Sequence, residues 1–327
     1  MTQERFLVTG ALGCIGSWVV RRLHAEGAAI VATDLGHDRR RWRLLDPSLE
    51  HDVQVHELDV TDGSALSELV ADQGITRLIH LAALQVPIAR AHPLAGARVN
   101  VEGMTAVLEA ARAHRDQVRG LAFASSVAVY GPASAYPPGP LAHDAQPAPT
   151  TLYGAHKQCD EWLARVYAAD YAVPSVGLRP LTVYGPGRDQ GVTSSPTQAM
   201  LAAAAGKPYR IAWGGESGYA YAEDVAAAFI AAARAADDGG PADTYNLPVE
   251  TADMPAVVAA ITREVPGATI EFEPAGLPFA TAVDGAAVRA RLGRIPETSF
   301  ADGVRSTVAT FRRALDEGRL DLDTTLA

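Results

Sequence analysis

The sequence predicts an α/β protein: a doubly wound parallel sheet with a smaller C-terminal lobe. Three observations support this. Short apolar runs alternate with helix-length segments up to Arg179, as in a parallel sheet covered by helices on both faces. The first apolar run leads straight into a glycine-rich turn and a helix. Beyond Arg179, glycine, proline and short segments dominate to Gly218, which marks a change of architecture.

Strands are expected at Arg5–Thr9, Ala29–Thr33, Val53–Leu58, Arg77–Leu81, Leu121–Ser125 and Ser175–Leu178, each a short apolar run. Helices are expected at Ile15–Glu26, Ser64–Gln73, Pro93–His114 and Leu152–Tyr171. In the last of these, Leu152, Trp162, Leu163 and Val166 recur at helical spacing near one side. The proline-rich stretch Tyr136–Pro149 reads as a long loop, of the kind that often serves function. Next come the helix Ala222–Ala236 and the strand Thr244–Leu247, then Met254–Val265 and the alternating strand Thr269–Glu273. Helices near Ala286–Leu292 and Ala301–Leu315 complete the chain. Residues 1–179 with about 222–250 are expected to form the sheet domain. Residues 180–221 with about 251–327 are expected to form a substrate-binding lobe.

Composition narrows the function classes. At roughly 150 residues per domain, 327 residues make one large domain or two smaller ones. With 48% apolar and 20% charged residues the chain builds an ordinary core, and general disorder is excluded. Lys and Arg number 28 against 38 Asp and Glu, a net charge of −10 with a pI near 5.4. That balance argues against nucleic acid or an anionic membrane as the main partner. Nine scattered histidines show no metal-type spacing, and two cysteines are too few for a disulfide framework. No signal peptide is visible, and no window reaches ~18 uninterrupted apolar residues. A soluble cytoplasmic protein is therefore expected.

The strand Arg5–Thr9 runs into Gly10-Ala11-Leu12-Gly13-Cys14-Ile15-Gly16 and then a helix. Glycines let the backbone turn sharply and approach a pyrophosphate closely. The helix N-terminus then offers unpaired N–H groups and partial positive charge. This is the Rossmann arrangement for a dinucleotide. The second strand ends at Asp34, placed where a carboxylate accepts the ribose hydroxyls of NAD and repels the extra phosphate of NADP. Arg39, Arg40 and Arg41 follow and are the counter-argument, since arginines there reach a 2′-phosphate. NAD is the favoured cofactor and NADP the lesser alternative.

Tyr153 and Lys157 stand four residues apart near the start of a helix and so share one face. A free tyrosine titrates near ~10; a nearby ammonium favours its phenolate. Such a phenolate takes a proton from an alcohol while hydride leaves for a cofactor. An isolated pair of this spacing is more often an amphipathic surface. Here Ser125 and Ser126 add hydroxyls at the carboxyl end of a strand, the edge where open parallel sheets bind ligands.

Together these residues resemble the extended short-chain dehydrogenase/reductase superfamily, in its NAD-dependent epimerase/dehydratase branch. The resemblance runs from Phe6 to about Leu292. It rests on Thr9-Gly10-x-x-Gly13-x-x-Gly16, Asp59-Val60-Thr61-Asp62, His80-Leu81-Ala82-Ala83, Ser125-Ser126-x-x-Val129-Tyr130-Gly131 and Tyr153-x-x-x-Lys157. Val99-Asn100-Val101-x-Gly103 and the run Leu178 to Gly187 also look like family segments.

The resemblance implies that Gly10, Gly13 and Gly16 cradle the pyrophosphate with the N–H groups of Cys14 and Ile15. Asp34 would hold the adenosine ribose, and Asp59 and Val60 the adenine. Leu81, Ala82, Ala83 and Pro180 would line the cofactor cleft, and Asn100 would support it from its helix. Lys157 would bind the nicotinamide ribose and tune Tyr153, the general acid/base. Ser126, rather than Ser125, would hold the substrate oxygen. In similar proteins the helices Pro93–His114 and Leu152–Tyr171 pair into a four-helix interface, so a homodimer is expected.

Departures from the family pattern narrow the substrate. Dehydratases of the branch carry an Asp-Glu pair where this chain has Val127 and Ala128, so elimination of water lacks its acid and base. Thr182 stands where nucleotide-sugar members tend to have Asn, and Ser217–Val225 lacks their arginine, as does Ala275–Val283. Burying a second diphosphate without arginines is costly. The expected substrate is a small polyhydroxy compound (sugar, sugar acid or hydroxy acid), with Arg188 and Arg210 as candidates for one carboxylate. The expected activity is NAD-dependent oxidation of a secondary alcohol. Epimerisation, including that of a nucleotide sugar, is the close alternative, and a non-catalytic NAD-binding interaction protein is a remote one.

Overall fold

The structure, a computed structural model, describes residues 4–236 and 242–326; residues 1–3, 237–241 and 327 of the expected domain ranges lie outside it. Its strands in chain order are β1 Arg5–Thr9, β2 Ala29–Asp34, β3 Val55–Glu57, β4 Arg77–His80, β5 Gly120–Ala124 and β6 Ser175–Arg179. They continue with β7 Thr182–Tyr184, β8 Tyr209–Ile211, β9 Glu216–Tyr221, β10 Asp243–Asn246, β11 Glu250–Asp253 and β12 Ile270–Phe272.

The main sheet has seven strands in the order β10-β6-β5-β4-β1-β2-β3. Every pairing in it is parallel. Side chains alternate across such a sheet, so each strand feeds two cores. Phe6 and Val8 point to the face covered by the helices Cys14–Ala25 and Ala222–Ala235. Leu7, Val31, Leu121 and Phe123 belong to the opposite core, where Leu66, Met104 and Leu108 pack from the helices Gly63–Asp72 and Gly103–Ala113. Burial on both faces explains why the strands read as unbroken apolar runs. The chain winds outward in opposite directions from β1 and β4, so a switch point lies between their carboxyl ends.

The second lobe joins a three-stranded sheet, β11-β9-β7, to a two-stranded one, β12-β8. Its own core gathers Met200, Trp213, Tyr219, Ile261, Val304 and Phe311. The helix Ala286–Leu292 departs from the expected division: its Val288, and Ile295 just after it, pack into the core of the main sheet.

Two expected helices differ in informative ways. Pro93–His114 is not one regular helix: a π-turn, Arg98–Glu102, separates Pro93–Ala97 from Gly103–Ala113. The extra residue of a π-turn re-aims side chains, and such turns favour functional sites. Leu152–Tyr171 has its expected bounds, with the Thr151 hydroxyl accepting the Gly154 N–H. Of its expected apolar stripe, Leu152, Trp162 and Val166 are exposed, while Leu163 packs against the core around Leu7 and Phe123. The buried side carries Gly154, Lys157, Asp160, Glu161, Ala164 and Tyr167. Charged residues share that face with Ala164 and Tyr167, which belong to the core around Leu7 and Phe123. No helix among the described residues is long and apolar enough to cross a membrane.

Candidate active site

A cleft of about 550 Å³ opens at the switch point. Its floor is the glycine turn, and Gly10, Gly13, Cys14, Ile15 and Gly16 all line it. A Cβ on Gly16 would lie 2.1 Å from the carbonyl oxygen of Gly10, so the turn closes only with glycine there. The helix that follows has no side-chain cap at Gly13. Its first N–H groups therefore face the cleft as an anion site. Burial pushes the Cys14 thiol up to about 11, with Arg188 and Arg41 pulling the other way.

Asp34 ends β2 and lines the cleft. Its carboxylate accepts the N–H of Leu12 at 2.9 Å and of Gly36 at 3.2 Å. Asp59 and Val60 line the same end, as do Leu81, Ala82, Ala83 and Pro180 along the cleft. Each arginine after Asp34 is engaged elsewhere. Arg39 donates to the Glu50 carbonyl at 2.8 Å. Arg40 pairs with Asp189 at 3.1 Å and Asp38 at 3.4 Å. Arg41 pairs with Asp189 at 2.6 Å and donates to the carbonyls of Leu12 at 2.7 Å and Gly187 at 3.1 Å. Asp189, which sequence reasoning missed, thus clasps the loop after β7 to the glycine turn.

Asn100 does not line the cleft. It is fully buried in the π-turn, accepting the Leu84 N–H at 2.8 Å and donating to the Leu84 carbonyl at 3.0 Å. Through these bonds it fixes Leu84, which itself lines the cleft, from behind the wall.

Ser126 and Tyr153 both face the cleft. The Ser126 hydroxyl caps the turn Val127–Val129 by accepting the Ala128 N–H at 3.1 Å. The two are brought together by a residue whose role was missed: a Cβ on Gly154 would lie 2.1 Å from the Ala128 carbonyl. Glycine lets the helix carrying Tyr153 rest directly on the Ser126 turn. Ser125 also lines the cleft, but its hydroxyl donates to buried Glu161 at 2.5 Å. Arg179 completes that network, donating to Glu161 at 2.7 Å and to the Tyr130 hydroxyl at 2.7 Å.

Lys157 lies behind the cleft wall. It is 1% exposed, its Nζ is 5.9 Å from the Tyr153 ring centroid, and it pairs with Asp160 at 3.0 Å. Burial works against its charge, but Asp160, Tyr153 and Glu161 outweigh burial and hold its pKa above the ordinary lysine value.

On the other wall, Thr182 lines the cleft and shares a hydrogen bond with Ser217 at 2.8 Å. Arg188 also lines it, donating to Thr193 at 2.8 Å. The Arg188 Nε is buried without a hydrogen-bond partner among the described residues. Arg210 is a correction: it stands on β8 away from the cleft, exposed, and pairs with Glu271 at 3.3 Å and Glu273 at 2.7 Å. Val127 and Ala128 are buried and apolar, and bring no acid or base to the site. Gln85 and Phe279 line the cleft without any signal in the sequence.

The fold, with its cleft at the switch point, is that of enzymes of the extended short-chain dehydrogenase/reductase type. The chain matches the NAD dependent epimerase/dehydratase family over residues 6–247 and belongs to it. A UDP-glucose 4-epimerase of Mycolicibacterium smegmatis is 31% identical, covering 94% of this chain and 98% of that protein. The crystal structure of a UDP-glucose 4-epimerase of Thermus thermophilus with NAD has a TM-score of 0.79 and 27% identity, covering 95% of this chain and 100% of that one. A GalE-like L-threonine dehydrogenase of Cupriavidus necator has a TM-score of 0.81 and 25% identity, with 95% and 100% coverage. This chain is accordingly an NAD-dependent oxidoreductase or epimerase acting on a hydroxyl-bearing small molecule.

Proposed function

We propose that the protein is an NAD-dependent dehydrogenase that oxidises a secondary alcohol of a small polyhydroxy substrate: a sugar, sugar acid or hydroxy acid. The observation behind this reading is the charge of the cleft. Its arginines are Arg40, Arg41 and Arg188. The first two are balanced by Asp38 and Asp189. One partly free guanidinium does not neutralise a second diphosphate beside that of the cofactor. Arg188 is assigned to an anionic group in the cleft, and Thr182 to a substrate hydroxyl.

Bound NAD supplies the hydride acceptor. Ser126 holds the reacting oxygen by a hydrogen bond, and Tyr153 takes the proton at its phenolic oxygen. Lys157 stands behind the ring as a positive charge, its Nζ 5.9 Å from the ring centroid. The glycine turn and the first N–H groups of the helix Cys14–Ala25 hold the pyrophosphate. Asp34 accepts the ribose hydroxyls, and with all three following arginines engaged, the reading favours NAD over NADP.

The test is a panel of sugars, aldonates, uronates and hydroxy acids with NAD, alongside UDP-sugars. NADH should accumulate with a member of the first group. In Tyr153→Phe that turnover should fall by about 10²–10⁴-fold while NAD affinity is kept. Full activity of the variant would remove Tyr153 as the base. Epimerisation is the second reading, favoured by the near full-length likeness to a UDP-glucose 4-epimerase. Turnover of a UDP-sugar with no net NADH would establish it.

The outward stripe of Leu152, Trp162 and Val166 supports a homodimer. Sedimentation should give a dimer at micromolar concentration, and Trp162→Glu a monomer; a monomeric parent protein overturns this.

A further inference from the structure

The buried side of the helix Leu152–Tyr171 holds an acid that the proposed reaction does not use. Asp160 is 0% exposed and Lys157 1% exposed. Lys157 Nζ lies 3.0 Å from Asp160 Oδ2, while Asp160 Oδ1 has no hydrogen-bond partner among the described residues. The neighbouring Glu161 is committed to Arg179 and Ser125.

A buried ammonium tends to lose its proton, because low dielectric disfavours the charged form. Few groups near Lys157 oppose that. On its own helix these are Tyr153, Asp160 and Glu161. His156 brings no negative charge, and burial and Lys157 both push its pKa down. From β4, His80 faces Lys157; burial drives its pKa down to about 3, so its ring is neutral. Tyr153 bears charge only after it has ionised, and Glu161 shares its charge with Arg179. Asp160 is left as the resident counter-charge. A tyrosine is made acidic by its lysine only while that lysine is an ammonium.

We infer that Asp160 is a positioning residue whose carboxylate keeps Lys157 an ammonium behind Tyr153, and so sets the acidity of the tyrosine hydroxyl. The second half of this rests on Tyr153 being the base; the first half does not.

The chain has two lysines, Lys157 and the exposed Lys207. In full-length protein with NAD, isotopically labelled at the lysine Cε, nuclear magnetic resonance therefore reads Lys157 directly against Lys207. In the parent protein the Lys157 midpoint should lie at or above that of Lys207. In Asp160→Asn it should fall below Lys207 by about one pH unit or more, and Asp160→Glu should restore it. The tyrosinate absorbance that disappears on Tyr153→Phe should titrate at higher pH in the Asp160→Asn background. A Lys157 midpoint unchanged by Asp160→Asn overturns the inference. So does a parent midpoint below Lys207, a result that stands even if the variant does not fold. A lysine that shifts without the tyrosine overturns the coupling to Tyr153. Loss of the dehydrogenase reading by the substrate panel leaves the lysine result intact.

Discussion

The two sides of the cleft are built on different principles. The cofactor side is backbone: a glycine turn, the N–H groups of a helix start and one carboxylate that itself accepts the Leu12 N–H. The opposite wall, the side proposed for substrate, is made of side chains from short segments, where Thr182 holds Ser217 and Arg188 holds Thr193. Backbone recognition needs glycine at fixed positions, because any Cβ collides. Side-chain recognition places no such demand on spacing. The first is common to a family, and the second is where members are free to differ.

The largest effect expected on this contrast comes from Gly16→Ala. The new methyl would stand 2.1 Å from the Gly10 carbonyl oxygen, against backbone that cannot step aside. The turn should open, with a stability loss of ~1–3 kcal/mol and NAD affinity lowered at least about tenfold, an effect of ~1.4 kcal/mol. Urea unfolding and calorimetric titration with NAD measure the two losses. Stability lost with NAD affinity unchanged would break the contrast, since the glycine would then serve the fold alone.

The same contrast explains what was legible. The strands of the main sheet and the helix Leu152–Tyr171 could be read because long apolar runs and helical spacing survive in a sequence. The order of Gly10, Gly13, Gly16 and Asp34 was legible too, and the structure places all four along the cleft. The strands β7, β8, β9 and β11 were not anticipated; β7 and β8 have three residues each and show no period. Arg210 was misplaced for that reason: nothing local says that β8 turns it toward Glu271 and Glu273. The outward stripe of Trp162 and Val166 and the inward pair of Lys157 and Asp160 reverse the usual rule of apolar residues inside. Spacing finds the faces of a helix, but the inward one here mixes Leu163, Ala164 and Tyr167 with charged residues, so polarity alone does not tell which is buried. Nothing in the sequence marks Asp160, an acid three residues after a lysine, as buried.

Asp189 is where the two sides meet, and it offers the finest test of their independence. It sits on the loop after β7, yet it holds Arg40 and Arg41 beside the adenosine end of the cleft. Asp34→Asn removes the negative charge that faces a 2′-phosphate but leaves an oxygen for the Leu12 N–H. NAD affinity should fall by about 1.5–3 kcal/mol, the range for hydrogen bonds to a charged group. NADP should gain little, because both arginines remain clasped. Adding Asp189→Asn to that variant loosens the clasp and frees guanidinium N–H groups, and the ratio of NADP to NAD affinity should then rise severalfold. Fluorescence titration of both dinucleotides against the parent and the two variants measures this. If Asp34→Asn alone already prefers NADP, the arginines were never held, and cofactor choice rests on the strand end without help from the loop across the cleft.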